Sequence, residues 1–437
     1  MLIQFTIDNY KCFRQEAKLS LVASGYDKDT RWDDNVLIIP DFQLNLLKSA
    51  VIYGANASGK SKLVQAIDFF KYFILKSSKE SQLNETIEVE PFKFSTSTMD
   101  ASTTFEIMFI HENAQFRYGF EVNTSEIRAE WLFFRPETKE IELFYREKQD
   151  FSVHKTKFKV GSYLVKNGMV RTNALLLSVA GQFNDKTAIK IFNWLKKLDI
   201  VSGLHSELYT GVSVHQLKNE LQKKAILEFI KAADLGIDDL LPQLLDPNNL
   251  PKDLPTELSD LLKKTFKENK NAEFFYDIMT NHKVYNSDNE FIKYAKLSMK
   301  SDESEGTKKY FALSGLILDA LQTGKILVID ELDAKLHPNL VSKLVELFNS
   351  KDKNQHGAQL IFNTHDTNLL SAKLFRRDQI WFTEKDRYGA VTLYSLHDFM
   401  LEDGDKVRKG ADFETNYIKG RYGAIPYLND FEYLLAN

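Results

Sequence analysis

The stretch GANASGKS, residues 54–61, decides how this chain is read. It matches G-x-x-x-x-G-K-[ST] in full, the spacing of a phosphate-cradling loop. Gly54 and Gly59 allow a tight turn, so that the backbone N–H groups of Ala55, Asn56, Ala57 and Ser58 can surround phosphate oxygens. A helix expected from Lys60, with Lys62 in its first turn, points the positive end of its dipole at the same place. Lys60 is expected to reach the β- and γ-phosphates of ATP, and Ser61 to offer its hydroxyl to Mg²⁺. The flanks agree. SAVIY at 49–53 is an apolar strand, and residues 60 to about 75 carry helical periodicity.

Two segments much further along supply matching chemistry. ILVIDE, residues 326–331, is an apolar run ending in two carboxylates, as suits a central strand buried on both faces. Asp330 at its end is expected to hold Mg²⁺, directly or through water, and Glu331 to polarise the attacking water as general base. AQLIFNTH, residues 358–365, is a further strand, ending in His365, which is expected to contact the γ-phosphate. Lys60 and Asp330 lie 270 residues apart, far beyond the span of a compact phosphate-loop domain. If both touch one nucleotide, the chain between them must bulge outward from an α/β core.

That intervening chain has two characters. From about 87 to 165 alternating segments such as TTFEIMFI and FRYGFEV suggest antiparallel β arms. From about 172 to 280 the period turns helical, as in KTAIKIFNWLKKL and VHQLKNELQKKAILEFIKAADLG, with Pro242, Pro247, Pro251 and Pro255 in a dividing loop. The expected layout is an N-terminal lobe with the arms over 1–170, a helical insertion over 171–290, and a C-terminal lobe over 291–437. The aromatics Phe192, Trp194, Phe274, Phe275 and Tyr276 at the ends of the insertion are expected in its core. A hydrophobic share of 43% and a charged share of 27% are those of a globular protein. A lone cysteine, Cys12, the lack of a signal-peptide pattern and the lack of a long apolar run point to the cytoplasm and away from membranes. The formal net charge of −4 argues against a wholly basic nucleic-acid surface.

These motifs together resemble a known group. The 270-residue separation resembles the ABC-type ATPases of the SMC, Rad50 and RecF kind. GANASGKS, the opening FTIDNYKCF, DELDAKLHP and NTHD at 363–366 resemble the AAA15/AAA21-type ATPases of bacteria. EPFKFSTS at 90–97, RYGFEV at 117–122, NALLLSVAGQFN at 173–184, RRDQIWFTEKD at 376–386 and KGRYGAIPYL at 419–428 are similar to the RloA (AbiL-type) ATPases of phage-defence loci. The resemblance implies a signature segment contacting the γ-phosphate held by an opposite subunit. SEGTKKYF, just before the acidic strand, matches it through Ser304 and Gly306, with Thr307 and Lys308 beside them. It also implies that Asp333 crosses a dimer interface. One departure is clear: EPFKFS, where a glutamine is usual, contains none.

The function that this resemblance implies is an ATPase that dimerises around ATP and regulates a separately encoded effector of RloB type, with a TOPRIM-like nuclease fold, in anti-phage defence. Only 72 residues follow His365, too few for a nuclease domain in cis. The alternative reading is a RecF- or SMC-like DNA-binding ATPase of repair or replication. Its phosphate contacts would come from basic runs such as RKGADFETNYIKGRYG. A transporter ATPase suits the long insertion and β arms poorly.

Overall fold

The computed structural model describes residues 1–27, 30–79, 85–204, 209–244, 276–371, 373–401 and 404–426. The first strands are β1 (Leu2–Asp8), β2 (Ala17–Ser20), β3 (Val36–Ile39), β4 (Leu44–Leu47) and β5 (Ser49–Tyr53). The arms are β6 (Thr103–His111), β7 (Ala114–Val122), β8 (Ile127–Arg135), β9 (Ile141–Glu147) and β10 (Asp150–Val153). Then come β11 (Leu198–Ser202), β12 (Ile237–Leu244), β13 (Tyr276–Tyr285) and β14 (Phe291–Ser298). The last are β15 (Ile326–Asp330), β16 (Gln359–Asn363), β17 (Ile380–Lys385) and β18 (Val391–Ser395).

The helices are α1 (Trp32–Asn35), α2 (Lys60–Lys76), α3 (Lys159–Lys166), α4 (Leu176–Gln182), α5 (Lys186–Leu195), α6 (Thr210–Gln216) and α7 (Glu220–Lys231). They continue as α8 (Glu305–Thr323), α9 (Pro338–Asn349), α10 (Asn368–Ser371) and α11 (Phe413–Ile418). The chain forms two compact units, one of residues 1–200, 323–332 and 342–437, the other of 201–322 and 333–341. These boundaries do not coincide with divisions at 170 and 290.

The first unit is built on two large sheets and the small antiparallel pair β3-β4. β1 and β2 join the five arm strands in one antiparallel sheet of order β10-β9-β8-β7-β6-β1-β2. The arms therefore extend the sheet that the opening residues begin. The second sheet runs β11-β15-β16-β5-β17-β18, and β15, β16, β5 and β17 are mutually parallel. A parallel sheet needs cover on both faces, which explains why β5 and β16 are buried at every position.

Helix α2 provides part of that cover. Leu63, Ala66, Ile67, Phe70 and Ile74, spaced three and four apart, are buried. Phe70 meets Phe5 edge-on at 5.8 Å between ring centroids and stacks on Phe120 at 5.4 Å, both on the antiparallel sheet. Burying a phenylalanine of this kind stabilises by roughly 1.5–3 kcal/mol. Gln359, wholly buried at the start of β16, ties the sheets together. It accepts from Leu2 N at 2.6 Å and donates to Leu2 O at 3.0 Å and Leu47 O at 3.1 Å.

A buried polar joint fastens the arms to α4. Glu130 accepts from Leu176 N at 2.7 Å, Leu177 N at 3.0 Å and the Tyr118 hydroxyl at 2.9 Å, with Arg146 at 3.6 Å. Burial pushes the Glu130 carboxyl upward, against the pull of Arg146 and the two amides. Trp194 is core, as its pattern indicates, whereas Phe192 is only partly buried.

The second unit departs from an all-helical insertion. α6 and α7 are helical, but β12, β13 and β14 form a three-stranded antiparallel sheet. IDDLLPQL therefore lies extended, with Pro242 opposite Ile278. β12 is an edge strand, where a proline lacking its N–H is tolerated. The short apolar run fitted a helix equally well, and only pairing with the distant β13 decides it. Pro247, Pro251, Pro255, Phe274 and Phe275 lie outside the described residues; Tyr276 is half-buried.

Candidate functional site

The order β15-β16-β5 places the C-terminal ends of three strands side by side: Asp330, Asn363 and Tyr53, followed by Gly54. In the phosphate loop, Gly59 holds φ +98, a left-handed conformation that favours glycine, and begins α2. A Cβ on Gly54 would fall 2.5 Å from Thr383 O, so the loop floor admits no side chain there. Ser58 Oγ lies 2.8 Å from Thr383 Oγ1, which also donates to Tyr53 O at 3.3 Å. Asn56 and Ala57 are exposed at the tip, Ala55 and Ser61 are half-buried, and Lys62 is exposed.

Lys60 is 6% exposed, and its ammonium group turns into the loop, donating to Gly54 O at 2.7 Å and Ala55 O at 3.1 Å. A tight loop at the start of a helix, with an inward lysine and a floor that admits no side chain, fits a phosphate chain. These residues could hold a nucleotide.

The acidic strand end is built around a residue that motif spacing does not single out. Asn363, fully buried, donates from Nδ2 to Asp330 Oδ1, while its Oδ1 accepts from Glu331 N at 2.6 Å. Glu331 has φ +57, left-handed and unusual for glutamate. The Asn363 carbonyl thus fixes a strained residue next to a carboxylate suited to a hard cation. The available signal was an amide directly after the apolar run 360–362 of β16.

His365 is exposed just beyond β16. Its loop is held by Tyr53, whose hydroxyl donates to Asp366 O at 3.0 Å, and by Thr364, fully buried. Lys60, Asp330 and His365 therefore all stand at one edge of one parallel sheet. EPFKFS is anchored instead by Asn9, which accepts from Phe92 N at 3.0 Å.

Ser304, Gly306, Thr307 and Asp333 belong to the second unit. Ser304 Oγ accepts from Thr307 N at 3.1 Å, capping α8. Beside it Thr280 Oγ1 donates to Glu303 Oε1 at 2.5 Å, and His282 Nε2 lies 2.7 Å from the same oxygen. Gly306 packs on residues 333–336, since a Cβ there would sit 2.7 Å from Lys335 O. The buried Lys309 donates to Ala334 O at 2.7 Å, and Glu305 pairs with Lys335 at 2.9 Å. Hydrogen bonds from Lys335 and Lys308 hold the exposed Glu305 carboxyl down to about 2. The start of α8 and the loop carrying Asp333 thus form one tied cluster.

The fold is mixed α/β with several sheets, a G-x-x-x-x-G-K-[ST] loop leaves a central parallel strand, and an acid stands at the end of a second, as in P-loop folds. The chain belongs to the family described as "AAA domain, putative AbiEii toxin, Type IV TA system", whose model matches residues 49–179 and 221–371, more than half of the sequence. No curated protein matches it.

Among solved structures it is similar to an "SMC head domain from Thermotoga maritima", 12% identical, covering 90% of this chain and 98% of that chain, TM-score 0.38. It is also similar to an SmcHead bound to the C-winged helix domain of ScpA, 12% identical, covering 90% and 97%, TM-score 0.40. A third is an Smc head domain with an extended coiled coil bound to the C-terminal domain of ScpA derived from Pyrococcus furiosus. It is 11% identical, covering 90% and 96%, TM-score 0.37. Among the described residues no helix is long and apolar enough to cross a membrane.

Proposed function

We propose that this chain binds and hydrolyses ATP at the shared edge of β5, β16 and β15, in a site completed by a second copy. The observation that carries the reading is that the phosphate loop and the Asn363-held Asp330 and Glu331 stand at the ends of β5 and β15, the strands on either side of β16. In this reading the loop 54–59 and the first turn of α2 bind the triphosphate, and Lys60 leaves the Gly54 and Ala55 carbonyls for the β- and γ-phosphates. Ser61 and Asp330 would hold Mg²⁺. The bound ion would neutralise charge on the phosphate oxygens. Glu331 accepts a proton from water as its oxygen attacks the γ-phosphorus, giving ADP and phosphate. His365 contacts the γ-phosphate.

Ser304, Gly306, Thr307 and Asp333 face the nucleotide held by the partner copy, as the start of a capped helix can do for an anion. ATP then acts as a reversible link between protomers. The resemblance of EPFKFSTS, NALLLSVAGQFN and RRDQIWFTEKD to RloA-type ATPases favours regulation of a separately encoded TOPRIM-like nuclease in anti-phage defence. The basic stretch at 408–423 favours a second reading, a DNA-binding ATPase of repair or replication.

Hydrolysis rate and solution mass of Lys60→Ala and Glu331→Gln test the core of the proposal. The first should lose ATP binding. The second should bind ATP, hydrolyse it at least a hundredfold more slowly and accumulate as a dimer, in keeping with loss of general-base catalysis. A Glu331→Gln protein as fast as the parent removes the proposed base. Co-purification with a neighbouring gene product separates the defence reading from the DNA reading, which calls for salt-dependent DNA affinity.

A further inference from the structure

Away from the strand ends, the first unit contains a cavity of about 730 Å³ between residues 30–31, 370–371, 373–377 and 409–413. Its wall carries four cations, Arg31, Lys373, Arg377 and Lys409, against one acid, Asp412. That acid is already engaged, accepting from Thr415 N at 3.0 Å and Thr415 Oγ1 at 2.6 Å as the cap of α11. Such a concentration of positive charge contrasts with a formal net charge of −4 for the whole chain.

The two arginines are set in place by backbone contacts, and Arg31 also lies 3.9 Å from the Asp34 carboxylate. Arg31 donates to Lys373 O at 2.9 Å, and Arg377 donates to Val407 O. Arg31 and Lys373 both hold left-handed backbone, at φ 45 and φ 51, which non-glycine residues rarely keep without a reason. Among the described residues no carboxylate pairs with Lys373. Fixed guanidinium groups and an exposed ammonium around a concavity make an anion site.

The volume lies within the range of about 300–1,000 Å³ usual for small-molecule sites. A single-stranded nucleic acid would be better served by exposed rings on which bases stack. Here Phe375 is buried and Phe413 half-buried.

The cavity also adjoins elements that hold the phosphate loop. Leu370 and Ser371 in its wall belong to α10, just beyond His365. From α11, Glu414 accepts from Thr367 at 3.0 Å, and the Tyr417 ring lies 5.6 Å from that of Tyr53, the residue before Gly54. We propose that this cavity is a second anion site, taking a compact ligand with two or more phosphate groups, and that its occupancy is transmitted through α10 and α11 to the phosphate loop. Binding does not depend on the ATPase reading; transmission rests on it.

The full-length Lys60→Ala protein, with its phosphate loop disabled, is titrated calorimetrically with inorganic tripolyphosphate and compared with the same protein carrying Lys373→Glu and Lys409→Glu. The expected result is at least a tenfold loss of affinity in the second protein. Lys373→Gln with Lys409→Gln repeats the comparison if the charge reversals unfold the chain. Equal affinities overturn the proposal, as does binding only where Lys60 is intact. Tight, salt-dependent binding of a 20-mer oligonucleotide without tripolyphosphate binding also overturns it, in favour of a nucleic-acid surface. If wild type fails to bind ADP while the Lys60→Ala comparison succeeds, the ATPase reading falls and the cavity stands. Transmission predicts that tripolyphosphate at saturation changes the wild-type affinity for ADP at least threefold, and that K373E/K409E abolishes the change. An unchanged affinity removes the transmission.

Discussion

Asn363 holds Glu331 in a left-handed conformation by accepting a hydrogen bond from its backbone N–H at 2.6 Å, while the same amide donates to Asp330. The two acids at the end of β15 are therefore aimed by a side chain of the neighbouring strand. Loss of a buried hydrogen-bonding partner costs about 1–3 kcal/mol, and each 1.4 kcal/mol is a factor of ten. Asn363→Ala should lower kcat for ATP hydrolysis roughly 10- to 100-fold and leave KM within about threefold. Steady-state kinetics check this; an unchanged kcat would show that Glu331 needs no such support.

Gly306 and Lys335 touch at a point where no side chain fits, since an added Cβ would lie 2.7 Å from a backbone carbonyl. Gly306→Ala should push the start of α8 off the loop carrying Asp333. We expect ATP affinity within about threefold of wild type and turnover down at least tenfold, the pattern of a lost transition-state contact. Equilibrium nucleotide binding beside single-turnover hydrolysis distinguishes this from general unfolding, which would lower both.

The Glu130 joint is a matter of stability rather than chemistry. Glu130→Ala leaves Arg146 buried without its carboxylate and should cost about 3–5 kcal/mol, read from urea unfolding. Burial raises the folded carboxyl above its unfolded value, so the unfolded chain gives up that proton first. Stability from this group is therefore full below the unfolded pKa and declines as pH rises through the window above it. Comparing Glu130→Gln with wild type at several pH values isolates the effect, because the glutamine removes the slope. A slope identical in both proteins contradicts the assignment.

Cys12, the lone cysteine, lies against the phosphate loop, its sulfur 2.9 Å from where a Cβ on Gly59 would stand. Burial pushes its thiol up to about 11. At pH 8 only on the order of 0.1% is thiolate, so alkylation by iodoacetamide should run about a hundredfold slower than for a free thiol. The rate should climb as pH approaches 11, which mass spectrometry of quenched time points can track. Labelling at the speed of glutathione at pH 8 would place Cys12 in a different environment.

Much of the candidate site's framework was legible from sequence because the patterns that suggest it are local. A phosphate loop needs two glycines, a lysine and a hydroxyl at fixed spacing, and an acid at the end of an apolar strand reads the same way in any fold. The resulting strands β5, β15 and β16 appear where those patterns lie. Residues acting across the sheet left no such trace. Asn363, Thr383 and Gln359 matter through partners 32 to 357 positions away.

The sequence by itself determined the phosphate loop, the acid pair and the existence of an α/β core, since each arises from contacts among near neighbours or from strand periodicity. Tertiary structure alone decided that 237–244 is a strand, that the arms continue the opening hairpin, and that one asparagine aims two acids. Those outcomes depend on pairing energies between segments far apart in the chain, which no local pattern of residues encodes.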